Sequence, residues 1–166
     1  MENKELADFT EEQHTIQDNA GEIYSVRFLR SEDLWDIKLL HDGRLIGEAN
    51  CPRHSVESLF LGNIEIFSTA APPAVMAGDT APQPTAPNYR RRGLGTSLLN
   101  FIIAQARLSG FQQIRGHLLP QNLQDKPDLP DWYRRRKFNV RMNADGRGGT
   151  ISFNLMRGEN EIEGAG

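Results

Sequence analysis

The sequence predicts an α+β fold with a mixed, mostly antiparallel sheet flanked by helices. Three observations carry this. Short apolar-alternating runs at residues 22–29, 35–40 and 45–49 have the period of strands. Residues 93–109 carry one long amphipathic pattern of helical period. Two more strand-like runs, 138–142 and 150–156, bracket a glycine-rich turn near the end of the chain.

Residues 1–21 are polar and acidic, with only scattered apolar positions such as Leu6, Phe9 and Ile16. They read as an N-terminal extension, either frayed or a short docking helix, because they cannot bury a core of their own. In 22–29, Tyr24, Val26 and Phe28 share one face. Ser31, Glu32 and Asp33 make a turn. Asp42-Gly43 joins 35–40 to 45–49 as a hairpin, since glycine accepts the positive φ of the turn. Cys51-Pro52-Arg53 ends that strand, a helical turn is expected near 55–59, and 59–68 is the next strand, with Ile64, Ile66 and Phe67 as its core.

Residues 69–87 are rich in Ala and Pro and read as a long surface loop, either an inert insertion or a substrate-covering flap. Leu94, Leu98, Ile102 and Ala106 line the helix over 93–109, and Gly110 closes it. Residues 113–119 form a strand and 120–130 a polar loop. Asp131 caps a helix over 132–137, the hairpin of 138–142 and 150–156 follows, and 158–166 is a loose tail. The domain therefore spans residues 22–157.

With 166 residues, a net charge of −3 and one cysteine, the chain suits a single domain without a disulfide or a cysteine metal cluster. The negative net charge weighs against a nucleic-acid binder, although two local basic clusters keep that reading as a rival. No stretch reads as a leader or a membrane span, so the expected location is cytoplasmic.

The chemistry centres on Tyr89-Arg90-Arg91-Arg92-Gly93-Leu94-Gly95-Thr96. A basic, glycine-punctuated loop opens directly into a helix. Free N–H groups and the helix dipole favour an anion there, so the stretch reads as a phosphate or pyrophosphate seat. The lysine of a P-loop and the third glycine of a dinucleotide fingerprint are both missing. What remains, Arg90-x-x-Gly93-x-Gly95, resembles the signature of the GNAT N-acetyltransferase superfamily. A second segment, Trp132-Tyr133-Arg134-Arg135-Arg136-Lys137-Phe138, resembles the family's aromatic-Tyr-x-x-x-Gly-Phe motif.

The resemblance implies a GNAT-like central sheet, with acetyl-CoA as co-substrate, no metal, and transfer of an acetyl group to a primary amine of a small molecule or peptide by direct attack on the thioester. It assigns the pyrophosphate to Arg90, Arg91, Arg92, Gly93, Leu94, Gly95 and Thr96. The pantetheine arm falls to the strand edge near Ile66 and Phe67. Tyr133 is the implied general acid. Glu65, on the same strand, is the first candidate for general base; His41, Glu57, His117 and a water chain are rivals. Cys51 reads as buried and structural. The alternative is a non-catalytic acyl-CoA-binding member of the family. The sequence leaves room for a homodimer through the final hairpin or a sheet edge. It gives no sign of a nucleic-acid or membrane partner.

Four features depart from the family pattern. Lys137 stands at the glycine of the second motif, so that turn must be made differently. Lys126 stands where the family has Asn. The 69–87 loop separates the strand from the signature. A short turn replaces the two helices that usually line the acceptor groove, so the N-terminal acceptor helices are reduced.

Overall fold

The computed structural model describes residues 9–67 and 92–156. The 69–87 loop, the 158–166 tail, Arg90 and Arg91 lie outside the described residues. The elements run β1 (Thr10–Gln17), β2 (Ile23–Arg30), β3 (Leu34–His41), β4 (Arg44–Pro52), β5 (Ser58–Leu61), β6 (Asn63–Ile66), α1 (Leu94–Leu108), β7 (Gln113–Leu118), α2 (Pro120–Asp125), α3 (Leu129–Arg135), β8 (Asn139–Met142) and β9 (Gly149–Asn154). One sheet has the order β1-β2-β3-β4-β6 and the other β5-β7-β9-β8. The β5–β7 pair is parallel and the β1–β2, β2–β3, β4–β6, β7–β9 and β8–β9 pairs are antiparallel.

The chain divides into two units. The first takes residues 9–50, 63–67 and 92–101 of the described chain. Alternation along β2 and β3 buries Tyr24, Val26, Phe28, Trp35, Ile37 and Leu39 on one face. The opening turns of α1 add Leu94, Leu98 and Leu99, and the rings of Phe28 and Phe101 meet edge to face with centroids 5.5 Å apart. The β3–β4 turn has positive φ at both Asp42 (53°) and Gly43 (78°), as the Asp-Gly pair predicts.

The second unit takes residues 51–62 and 102–156. Its core holds Cys51, Leu59, Ile102, Ala106, Ile114 and Ile151. Gly110, with φ +88°, closes α1. The Phe111 N–H reaches the Ala106 carbonyl at 3.0 Å and the Gly110 N–H reaches Arg107 at 3.1 Å, the paired bonds of a Schellman turn.

Six local expectations are corrected. Thr10–Gln17 is neither frayed nor helical. It is strand β1, paired with β2 over its whole length, and alternate part-buried positions compensate for its polarity. Pro52 ends β4 without breaking it earlier, because Cys51 is still paired and buried. Residues 55–57 form a bend held by the Ser55 hydroxyl, which accepts the Glu57 and Ser58 N–H groups, rather than a helical turn.

The expected single strand over 59–68 is two strands separated at Gly62, each in a different sheet. Pro120–Asp125 is helix α2 rather than loop. Its first residue is proline, whose missing N–H costs nothing there. Asp131 does not cap α3; it lies in the first turn and pairs with Arg134 at 2.8 Å, while Asp128 holds the N-cap position.

Candidate active site

In the first unit Arg92 and Gly93 form the corner that opens α1. Gly93 has φ +77°, a conformation that L side chains rarely adopt. A Cβ on Gly93 would also collide with the Asn19 side chain. The Asn19 N–H donates to the Arg92 carbonyl at 2.8 Å, and the Ser97 N–H to the Gly93 carbonyl at 3.0 Å. Leu94, Gly95 and Thr96 supply the first helical N–H groups, which have no acceptor within the helix. The positive end of the helix dipole lies at the same place.

The tip of the β1–β2 hairpin holds this corner. Asp18 accepts hydrogen bonds from the Ala20 N–H at 2.8 Å, the Glu22 N–H at 3.0 Å and the Tyr24 hydroxyl at 2.8 Å. The Arg92 guanidinium donates to the Tyr24 hydroxyl at 3.1 Å and lies 3.9 Å from the Asp18 carboxylate. Burial pushes the Asp18 carboxyl up, but the Tyr24 hydrogen bond, the two backbone N–H groups and the Arg92 charge outweigh it and hold the pKa below the ordinary 3.8. The Arg92 side chain is thus tied to the sheet. Asp18 and Asn19 are the residues that sequence reasoning missed; an Asp-Asn-Ala-Gly turn before a strand was the available signal.

β6 is an edge strand of its sheet. Its register sets Glu65 opposite Glu48 and Ile66 opposite Gly47. A Cβ on Gly47 would lie 2.9 Å from the Glu65 carbonyl oxygen, so glycine permits the close backbone approach. The Phe67 N–H donates to the Ile46 carbonyl at 2.8 Å, and Ile66 is buried. Glu65 and Glu48 project from the same face, as directly paired residues do. Lys38 Nζ sits 3.2 Å from Glu48 and 3.5 Å from Asp36. Asp36 Oδ1 is buried and has no hydrogen-bond partner among the described residues. His41, expected to be solvated, is instead packed against the Tyr24 ring at 4.7 Å and bonded to Glu22 at 3.0 Å.

In the second unit Tyr133 is buried on α3, its ring edge-on to Trp132 at 4.9 Å and 5.2 Å from Phe138. Its hydroxyl makes no hydrogen bond among the described residues. Burial, reinforced by the nearby Cys51, drives the phenol pKa upward, so the hydroxyl keeps its proton. Cys51 is itself fully buried and its thiol is pushed up by desolvation, which leaves it inert as a nucleophile.

The turn expected to differ at Lys137 does not. Lys137 takes φ +75°. Its N–H donates to Arg134 at 3.0 Å, and the Phe138 N–H to Tyr133 at 3.1 Å. A lysine therefore makes the left-handed turn usually given to glycine. Glu57 is exposed and contributes its backbone carbonyl to Gln112 and Gln113, while His117 projects from the exposed face of the four-stranded sheet.

The family model for the acetyltransferase (GNAT) family matches residues 3–126. The chain belongs to the GNAT acetyltransferase family.

Solved structures share the fold. The GNAT domain of an S. lividans protein, PAT, has TM-score 0.57 at 11% identity, covering 87% of this chain and 96% of that one. The ribosomal-protein-S18-alanine N-acetyltransferase of Escherichia coli has TM-score 0.52 at 17% identity, covering 76% and 72%. A GNAT acetyltransferase from Elizabethkingia anophelis, solved with acetyl-CoA bound, has TM-score 0.51 at 11% identity, covering 74% and 76%. Curated protein sequences give no match. The family match includes the Gly93 corner and β6 of this GNAT chain and stops before Tyr133. No helix among the described residues is long and apolar enough to cross a membrane, and no group of three metal-ligating side chains is found among them.

Proposed function

We propose that this GNAT acetyltransferase moves an acetyl group from acetyl-CoA to a primary amine of a small molecule or a peptide. The observation that carries the reading is the Gly93 corner, where a left-handed glycine stands immediately before the N-terminus of a 15-residue helix. Such a corner suits a pyrophosphate. The edge position of β6 supports a second element, an added strand-like arm running along Ile66 and Phe67.

Bound acetyl-CoA would supply the activated acyl carbon and a thiolate leaving group. Glu65 would take the proton from the incoming ammonium, whose ordinary pKa is near 10. Tyr133 would serve the departing sulfur. Its retained proton makes it a donor, and because a buried phenol is a weaker acid than a thiol, it acts first as a hydrogen-bond donor and only then as a proton source.

The test is thiol release from saturating acetyl-CoA with a panel of primary amines, including an N-terminal alanine peptide. Amine-dependent release supports the proposal. Calorimetric binding of CoA without turnover would point to a non-catalytic acyl-CoA binder, and no binding at all would remove the reading.

A further inference from the structure

The outward face of the four-stranded sheet carries a cluster that none of the chemistry above uses. Along β7, residues 113, 115 and 117 point away from the buried face, which holds Ile114 and Leu118. The register places Phe60, Arg115, Ser152 and Asn139 side by side on one rung. The next rung holds His117, Thr150 and Arg141. Together with His54 these residues line an open cavity of about 620 Å³, a size that suits a small ligand.

The charge of this cavity is one-sided. Although the whole chain is net −3, no Asp or Glu among the described residues lines it. Among the described residues, neither Arg115 nor Arg141 makes a hydrogen bond or ion pair. The two strands that bear them lie two ladder spacings apart, about 10 Å, so their long side chains can converge on one group between them. Thr150, Ser152 and Asn139 add neutral donors. Phe60 lies between His117, with ring centroids 5.2 Å apart, and His54, at 6.3 Å, and makes an aromatic wall beside the arginines.

We propose that this face binds a small organic anion in which a planar ring carries a phosphate or carboxylate. The guanidinium groups would grip the oxyanion through paired N–H donors, and the Phe60 wall would take the ring. The site is independent of the acetyl-transfer reading, because it uses no residue of the Gly93 corner, β6 or α3.

Calorimetric titration of the full chain tests it with three probes: phenyl phosphate, phenylacetate and inorganic phosphate. Phenyl phosphate or phenylacetate should bind saturably and more tightly than inorganic phosphate, by about threefold to tenfold. Arg115→Gln and Arg141→Gln should each weaken binding by about tenfold or more, and Phe60→Leu should erase the advantage of the ring. All three positions sit on the outward face, so thermal melting and CoA binding should not change.

Whichever of the two ring probes binds identifies the oxyanion. Absence of saturable binding for both overturns the proposal. So does equal affinity in the wild type and the two arginine variants, or binding restricted to single-stranded oligonucleotides. Loss of CoA binding in the wild type would bear on the acetyltransferase reading alone.

Discussion

The Phe138 N–H closes onto the Tyr133 carbonyl at 3.1 Å while the two rings rest 5.2 Å apart. This is the hydrophobic contact that accompanies a Schellman turn, and it fixes the candidate donor at the end of α3. The residue between the two partners' bonds, Lys137, carries the strain of φ +75°. A left-handed L residue costs about 1–2 kcal/mol, and glycine gives back part of that through its freer unfolded chain. Lys137→Gly should therefore stabilise the protein by about 0.5–1 kcal/mol. The check is a higher urea midpoint with an unchanged slope. Lys137→Val should move the midpoint the other way, because a β-branched side chain tolerates positive φ poorly.

Tyr133→Phe keeps the ring in its aromatic setting and removes only the proton donor. If the hydroxyl serves the leaving sulfur, kcat should fall by about a hundredfold while the Kd for CoA stays within a factor of about two. An unchanged kcat would leave Tyr133 as a helix anchor.

The Gly93 corner can be examined by a double-mutant cycle. Gly93→Ala meets two obstacles, the left-handed φ and the Asn19 side chain. It should cost about 2 kcal/mol or more. Adding Asn19→Ala relieves the collision but not the backbone strain, so the double variant should recover only part of the loss in thermal denaturation. Full additivity would show that Asn19 and Gly93 are uncoupled.

Much of this architecture was legible in the sequence. Strand period, the Asp42-Gly43 turn, the α1 face and Gly110 follow from local rules that the tertiary structure does not override. β1 was hidden because Glu11, Glu12 and Gln13 look like an unstructured acidic segment. Their neighbour β2 supplies the partners, Arg27 to Glu11 at 3.2 Å and Arg30 to Glu12 at 2.8 Å. The break at Gly62 was hidden because two short strand-like runs on either side of Gly62-Asn63 do not reveal which sheet each joins. The Gly93 corner was readable from glycine spacing, whereas the Asp18 and Asn19 contacts to it span more than seventy residues of sequence. The Arg115 and Arg141 cluster was invisible because strands β7 and β8 are separated in space by β9, and only register brings their side chains to one face.

Acid should reveal Asp18. Its folded pKa lies below the ordinary 3.8, so the stability it adds is complete above that value and is lost as pH falls through the depressed one. In Asp18→Asn, melting temperature should lie below wild type by a constant margin above about pH 5, and the gap should narrow steadily below the ordinary carboxylate range. A gap that stays constant to pH 2 would remove the linkage.

Glu65 and Glu48 separate structure from catalysis. Neutralising Glu65 relieves a like-charge cross-strand pair, so Glu65→Gln should leave stability unchanged or raise it by up to about 1 kcal/mol, whereas Glu48→Gln also removes the Lys38 ion pair at 3.2 Å and should show no such gain. Only Glu65→Gln should suppress turnover and alter the limb of the pH–rate profile that reports the base. Equal loss of activity in both variants would indicate a shared electrostatic field rather than a single proton acceptor.

The tether from Arg92 through Tyr24 to Asp18 has a thermodynamic consequence. An anion reaching the start of α1 meets a corner that the sheet has already preorganised, so these few residues need not be ordered on arrival and little conformational entropy is forfeited. Cutting the tether with Tyr24→Phe would leave the donors in place but unsteady. The loss should appear in calorimetry as a larger entropic penalty on association, with the enthalpy of contact nearly preserved.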